Sequence, residues 1–250
     1  MENKLVSIIT PCYNASKFIV ETIASVQAQT YTNWEMLITD DGSSDNSVEI
    51  VKAIAKVDPR VKIFPIKNSG PAKARNNSIK QAQGSYMAFL DSDDLWYPEF
   101  IEKSIAKVKD SEGFVYASYK RCDEITLEPT HVDFIVPEKV NYHDILKTNS
   151  ISCLTAFIDI DRLGKKLMPE VQYRQDMGLW VSYLKEINYA YGIKEPLAIY
   201  RIRSNSHSRN KKKLLKPQWY FYRHVEKASV LKSLYYMIVW AYYGYMKYRK

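Results

Sequence analysis

Two acidic clusters, Asp40-Asp41-Gly42-Ser43 and Asp91-Ser92-Asp93-Asp94, each follow directly on a short, mainly apolar run, Met36-Leu37-Ile38-Thr39 and Tyr86-Met87-Ala88-Phe89-Leu90. Carboxylates at strand ends are expensive to bury without a positive partner. Several that converge there suit a site in which a divalent cation or ribose hydroxyls occupy the space between them. A lone Asp after a strand ordinarily caps the helix or turn that follows. Two clusters in one strand pattern favour a metal and nucleotide site over a pair of caps.

The elements that must present these carboxylates read as a βαβ series. Apolar runs predict strands over 5–10, 34–40, 61–66 and 86–90, and the patterns between them predict helices over 16–29, 44–56 and 71–83. Short continuous apolar strands linked by helices form a parallel sheet covered on both faces, with right-handed crossovers. Ser16 and Ser44 fall where helix N-caps are expected, and Gly70-Pro71 places proline in a first helical turn. Ligands of such sheets lie beyond the carboxyl ends of the strands, where Tyr13-Asn14, Asp40-Asp41, Asn68 and the second acidic cluster fall. Farther along come a helix over 99–109, a strand over 114–119, a loop or hairpin over 123–137, a short helix after Asn141 and a strand over 153–158. Arg174-Gln175-Asp176 then stands before a helical run beginning at Gly178, where an Asp is also an ordinary N-cap.

With 250 residues and 46% hydrophobic content, the chain supports one large α/β domain, or a domain plus an appendage, and excludes a mainly disordered protein. Cys12, Cys122 and Cys153 are odd in number and irregular in spacing, so neither a disulfide framework nor a zinc site is expected, and a reducing cytosol fits. The polar start, Met1-Glu2-Asn3-Lys4, leads into a strand and not into a secretory leader. The net charge of +8 is concentrated at one end: residues 201–250 hold 13 Lys or Arg against the single acid Glu226, while residues 1–200 are mildly acidic. A basic tail suits nucleic acid, anionic lipid or an acidic partner. Residues 233–246 are uncharged and rich in Tyr and Trp, too short for the roughly 18–20 residues that span a bilayer but suited to a helix lying in the membrane interface. The alternative is that these rings pack on the rest of the chain or on a second subunit in a homo-oligomer. No nucleic acid is expected, because no recognised binding module accompanies the basic residues.

The ordered segments Val6-Ser7-Ile8-Ile9-Thr10-Pro11-Cys12-Tyr13-Asn14, Ser25-Val26-Gln27-Ala28-Gln29-Thr30-Tyr31, Asp40-Asp41-Gly42-Ser43-Ser44-Asp45, Gly70-Pro71-Ala72-Lys73-Ala74-Arg75-Asn76 and Phe89-Leu90-Asp91-Ser92-Asp93-Asp94-Leu95-Trp96 resemble the glycosyltransferase family 2 enzymes, above all those that assemble bacterial teichuronic acid, capsule or O-antigen chains. The resemblance covers roughly the first 210 residues. It implies a GT-A fold with a mostly parallel, Rossmann-like sheet, a nucleoside-diphosphate sugar as donor (a UDP-sugar) and an inverting transfer to a glycan or lipid-linked saccharide. Residues 1–97 would form the nucleotide-sugar half, 98–210 the acceptor half, and 211–250 a helical tail holding a cytoplasmic enzyme to the inner face of the membrane.

Residue by residue, the resemblance implies that Tyr13 meets the donor base, with Pro11 beside it in the donor site, that Asp40 and Asp41 lie near base or ribose, and that Arg75 lies close to the nucleotide. Asp91, Ser92 and Asp93 match the family's DxD motif, with Asp91 near ribose and Asp93 holding the metal on the diphosphate. Asp176 falls where the family has its catalytic base, with Gln175 in place of a customary Glu. Tyr200-Arg201-Ile202-Arg203-Ser204-Asn205-Ser206-His207-Ser208 resembles the segment that folds over the diphosphate. Arg203 stands where some relatives have a metal-binding His, and His207 reads as a solvated loop residue.

The chemistry accounts for these residue types. Breaking a sugar–phosphate bond releases a diphosphate whose negative charge grows, so a Mg²⁺ or Mn²⁺ ion on Asp93 and Asp91, with Arg201 and Arg203, would neutralise it. Asp176 would take the proton of the acceptor hydroxyl on the opposite face of the sugar, and in-line attack there inverts the anomeric centre. A sugar nucleotidyltransferase would instead carry a Gly-rich basic loop after the first strand, where this chain has Thr10-Pro11-Cys12-Tyr13-Asn14. A non-catalytic sugar-nucleotide-binding subunit would not need Asp91, Asp93 and Asp176 together.

Overall fold

The computed structural model describes residues 3–203 and 214–246. Its first half is the βαβ series expected: β1 (Val6–Cys12), α1 (Ile19–Gln27), β2 (Trp34–Asp40), α2 (Ser47–Val57), β3 (Val61–Pro65), α3 (Pro71–Gln81) and β4 (Tyr86–Phe89). These four strands pair in parallel in the order β3-β2-β1-β4. Neighbouring residues of each strand face opposite layers. Ile9 and Leu37 join one core cluster, and Ile8 and Ile38 join the other. A sheet buried on both faces is what continuous apolar strands require.

The second half departs from a parallel sheet. It comprises β5 (Leu95–Trp96), α4 (Phe100–Lys109), β6 (Phe114–Asp123), β7 (Pro129–Phe134), β8 (Lys139–Val140), α5 (Tyr142–Lys147), β9 (Phe157–Asp159), α6 (Ile160–Leu163), α7 (Gln175–Leu184) and β10 (Ala190–Ile202). Strand β9 inserts antiparallel between β4 and β6. Strand β10 lies parallel to β6 and antiparallel to β5, and β6 and β7 form the hairpin expected around 123–137. One ten-stranded sheet results. The single strand expected over 153–158 is a 3₁₀ turn, Cys153–Thr155, followed by β9.

Neither Ser16 nor Ser44 is an N-cap. Helices α1 and α2 begin later, behind Phe18 and Asn46, with no side-chain cap bond. The capping chemistry is spent across loops instead: Asp45 accepts from the Ser16 and Ser47 backbone N–H groups, 3.0 Å each, which ties the turn after β1 to the turn after β2. By contrast, Asn141 caps α5 in a full capping box with Asp144.

After the undescribed stretch come α8 (Leu215–Tyr220), a π-helical turn (Phe221–Val225) and α9 (Val230–Met246). Part of this tail packs on the domain. Phe221, Tyr222 and Tyr236 are buried, the Tyr222 hydroxyl donates to the Leu146 carbonyl, and Tyr236 pairs with His143 at 2.7 Å. The opposite side of α9 exposes Leu231, Tyr235, Ile238 and Tyr242, a helical spacing of three and four that forms one apolar ridge. No helix among the described residues is long and apolar enough to cross a membrane.

Candidate active site

The carboxyl ends of β1, β2 and β4 lie side by side, and the loops beyond them are interlocked. Pro11 is in register with Thr39 near the end of β1, and Tyr13 just past it is half exposed. Asn14, at φ 47°, accepts the Ser44 N–H at 2.8 Å. Asp40 is buried and accepts from the backbone of Gly42 and Ser43. Asp41 is also buried, and its two oxygens take the N–H groups of Ser69 and Gly70 at 2.6 and 2.9 Å. Gly42, at φ 75°, passes so near Asn68 that a Cβ would lie 2.9 Å from its backbone nitrogen. The first acidic cluster is therefore committed to building a rigid floor.

The second cluster is electrostatically loaded. The Arg75 guanidinium, from α3, is ion-paired with Asp91. Burial would lower its affinity for its proton, but Asp91 first, and Asp176 behind it, hold it above the ordinary value. Asp93 accepts from Arg203 Nη1 at 2.9 Å. Burial and the Asp91 charge push Asp93 up, against the pull of Arg203. Asp94 is buried and pushed well above the carboxylate range by burial and by its two acidic neighbours. It accepts the Arg201 backbone N–H at 2.8 Å, while Thr22 Oγ1 donates to the Ser92 and Asp94 carbonyls. These bonds fix the Asp91–Asp94 turn against α1 and the end of β10.

Arg201 is expected to neutralise phosphate, and the structure places it behind the Asp91–Asp94 turn. Its side chain is 1% exposed and ion-paired with Glu21, and its Nη1 donates to the Asp93 carbonyl. It is a strut inside the wall. Arg203, 41% exposed in its side chain, remains able to reach a ligand. Of the segment expected to close over the diphosphate, Ser204, Asn205, Ser206, His207 and Ser208 lie outside the described residues.

Asp176 sits in the first turn of α7, not at its N-cap, which is Arg174 in the left-handed region at φ 67°. Helix α7 is anchored by Trp180, whose ring meets Phe89 edge-on at 5.3 Å. Gly178 lies so close to the preceding loop that a Cβ would fall 2.4 Å from Pro169 Cγ. Asn76 of α3 pins the same loop by a two-way exchange with the Met168 backbone at 2.9 and 2.8 Å. Asn149 Nδ2 donates to Asp176 Oδ2 at 3.2 Å, which orients the carboxylate. Glu21, Asn149 and Arg174 carry no recognisable sequence signal. Asn76 follows Arg75 in the Gly70–Asn76 segment, with no signal there of its bond to the Met168 backbone.

Among the described residues, no three His, Cys, Asp or Glu side chains are grouped to hold a metal by protein ligands alone. The donor set still fits Mg²⁺ or Mn²⁺: Asp91 and Asp93 are hard oxygen ligands held close enough to repel one another. An ion bound through one or two carboxylates completes its shell with phosphate and water.

Comparison with known proteins places the chain in a family. The sequence matches the family model described as Glycosyl transferase family 2 over residues 7–159. It is 39% identical over 247 residues, 97% of this chain and 95% of the other, to the candidate teichuronic acid biosynthesis glycosyltransferase TuaG of Bacillus subtilis (strain 168). It is 39% identical over 222 residues, 88% of this chain and 85% of the other, to the UDP-Glc:alpha-D-GlcNAc-diphosphoundecaprenol beta-1,3-glucosyltransferase WfgD of Escherichia coli. Among solved structures, the fold resembles S. aureus TarS 1–349 in complex with UDP, with TM-score 0.67, 19% identity, and coverage of 94% of this chain and 69% of that one. It also resembles the mannosyltransferase PcManGT of Pyrobaculum calidifontis in complex with GDP-Man and Mn²⁺, with TM-score 0.70, 16% identity, and coverage of 96% and 69%. The chain belongs to glycosyl transferase family 2, has the GT-A fold and is a glycosyltransferase.

Proposed function

From this family 2 membership, we propose that the protein transfers a sugar, with inversion, from a UDP-sugar to a hydroxyl of a lipid-linked saccharide in the synthesis of a bacterial surface polysaccharide. The observation that carries the reading is that one buried guanidinium, Arg75, is ion-paired with Asp91 and lies within electrostatic reach of Asp176, which links a donor carboxylate to a candidate base. The activity for which WfgD is named, with a UDP-Glc donor and a diphosphoundecaprenol acceptor, supports the substrate classes, and the UDP complex of TarS fits the same donor.

In this reading Tyr13 and Pro11 flank the base, over the floor that Asp40 and Asp41 build. Asp91 and Asp93 hold Mg²⁺ or Mn²⁺, which supplies positive charge to the departing diphosphate. Arg203 adds a charge-assisted hydrogen bond there. Asp176, oriented by Asn149, accepts the proton of the attacking hydroxyl, a contribution on the order of 10²–10⁴-fold in rate. Attack from the Asp176 side, opposite the leaving group, inverts the anomeric centre.

Residues 1–97, joined by Arg203, serve the donor, and the rest of 98–210 serves the acceptor. The apolar ridge of α9, beside Lys227 and Lys232, lies on an anionic membrane surface at the cytoplasmic face, where a lipid-linked acceptor is presented. The test is thermal protection by a panel of nucleotide sugars with Mn²⁺. A UDP-sugar at about 100 times its Kd should add about 2.7 kcal/mol. Protection by a guanosine or cytidine sugar, with none by any UDP-sugar, would overturn the donor assignment.

A further inference from the structure

Arg174 enters α7 two residues before the candidate base, and its backbone conformation at φ 67° is one that a bulky residue rarely adopts. Such outliers persist where the surroundings impose them. The guanidinium carbon lies 5.6 Å from the centre of the Trp240 ring on α9, so the tail helix forms part of its seat. Its Nε is buried without a hydrogen-bond partner. Arg75 and Arg203 each have a carboxylate, whereas Arg174 has none within ion-pair distance among the described residues. Burial pulls its affinity for its proton down, and Asp176 and Tyr222 pull it back up.

A desolvated cation held against an indole face and left without a carboxylate is suited to an anionic ligand, and a guanidinium fork matches phosphate oxygens. The donor diphosphate is already served by Asp91, Asp93 with its cation, and Arg203. Arg174 instead adjoins Asp176, on the acceptor side. In a glycosyl-diphosphate lipid, one sugar ring separates the reacting hydroxyl from the phosphates, and the lipid leads away from them. Trp240 belongs to the same helix that exposes Leu231, Ile238 and Tyr242 on its outer side, which gives that lipid an apolar direction to follow.

We propose that Arg174 binds a phosphate of a glycosyl-diphosphate lipid acceptor and that Trp240 of the tail helix holds it in place to do so. The proposal rests on the lipid-linked acceptor reading above and names the group that recognises the acceptor. The experiment measures kcat/KM with UDP-glucose, or whichever UDP-sugar protects best, for two acceptors. One is N-acetylglucosamine joined through a diphosphate to a short alkyl chain, and the other is the same sugar on the same chain through a neutral glycosidic link. The wild type should favour the diphosphate acceptor by about 10- to 100-fold, the range of one hydrogen-bonded charge contact. Arg174→Gln should bring the ratio close to one, mainly through the KM of the diphosphate acceptor, with UDP affinity by calorimetry retained. Arg174→Lys and Trp240→Leu should fall between. If the wild type shows the preference and Arg174→Gln keeps it, or loses rate on both acceptors in equal proportion, Arg174 is not the phosphate receptor although the lipid-linked reading stands. If the wild type shows no preference, or transfers to neither acceptor, the lipid-linked reading fails and the proposal falls with it.

Discussion

Arg75 is ion-paired with Asp91 and lies within electrostatic reach of Asp176, although 101 positions separate it from the latter along the chain. Helix α3 therefore joins the two chemical halves of the site. Removing one partner of a buried ion pair strands the other's charge and costs about 3–5 kcal/mol. Arg75→Met should lower stability to urea by about that amount, and adding Asp91→Asn should recover part of it. An Arg75→Met protein as stable as the wild type would show that the pair carries no structural load.

On the donor side, Asp93→Ala should abolish any increase in UDP affinity caused by Mn²⁺. Arg203→Ala should weaken UDP binding about tenfold with or without the ion, since a hydrogen bond to a charged group is worth about 1.5–3 kcal/mol. Calorimetry on the two variants separates these roles. A Mn²⁺ effect undiminished in Asp93→Ala would remove that residue from the metal site.

The four parallel strands and their helices were legible because an unbroken apolar run such as 34–40 and a helix signal such as Gly70-Pro71 are local. The mixed half was not. The direction of β9 depends on its insertion between β4 and β6, which no residue in 157–159 encodes. Asp91, Asp93 and Asp176 stand out by motif, but the burial of Arg201 against Phe18 and its pairing with Glu21 are set by tertiary packing and leave no local signal. The tail reads either as a helix in the membrane interface or as one packed on the rest of the chain, and the division found, with Tyr236 packed inward and Ile238 facing out, is set by the partners it meets.

Acid should probe the lock between the first two loops. Hydrogen bonds from Ser47 and Ser16 overcome the effect of burial and hold Asp45 down at about 2, from an ordinary 3.8. A lowered carboxylate stabilises fully above its unfolded value and loses that contribution as pH falls through the folded one. Asp45→Ala should therefore cost about 1 kcal/mol at pH 7, allowing for solvent screening, and the difference from wild type should shrink between pH 4 and 2. A difference constant over that window, by urea titration, would contradict it.

The exposed ridge of α9 allows a membrane test that leaves the packed face intact. Leu231→Glu with Ile238→Glu should reduce co-sedimentation with anionic liposomes at least tenfold, because each buried aliphatic side chain is worth about 1.5–3 kcal/mol. Added salt should weaken wild-type binding only in part, by screening Lys and Arg. Equal sedimentation of the two proteins, or none by either, would assign the ridge to contacts between copies of the chain, which light scattering would reveal as a dimer lost in the double variant.

The division of labour between Asp93 and Asp176 is tested most directly by Asp176→Asn, measured for UDP affinity with Mn²⁺ and for single-turnover transfer in one preparation. The substitution keeps the shape of the side chain and its contact with Asn149 but removes the proton acceptor. Affinity within about twofold of wild type, with transfer slower by roughly 10²–10⁴, is the expected result. Transfer within a few-fold of wild type, or loss of UDP binding in parallel with rate, would contradict the assignment of Asp176 to the acceptor.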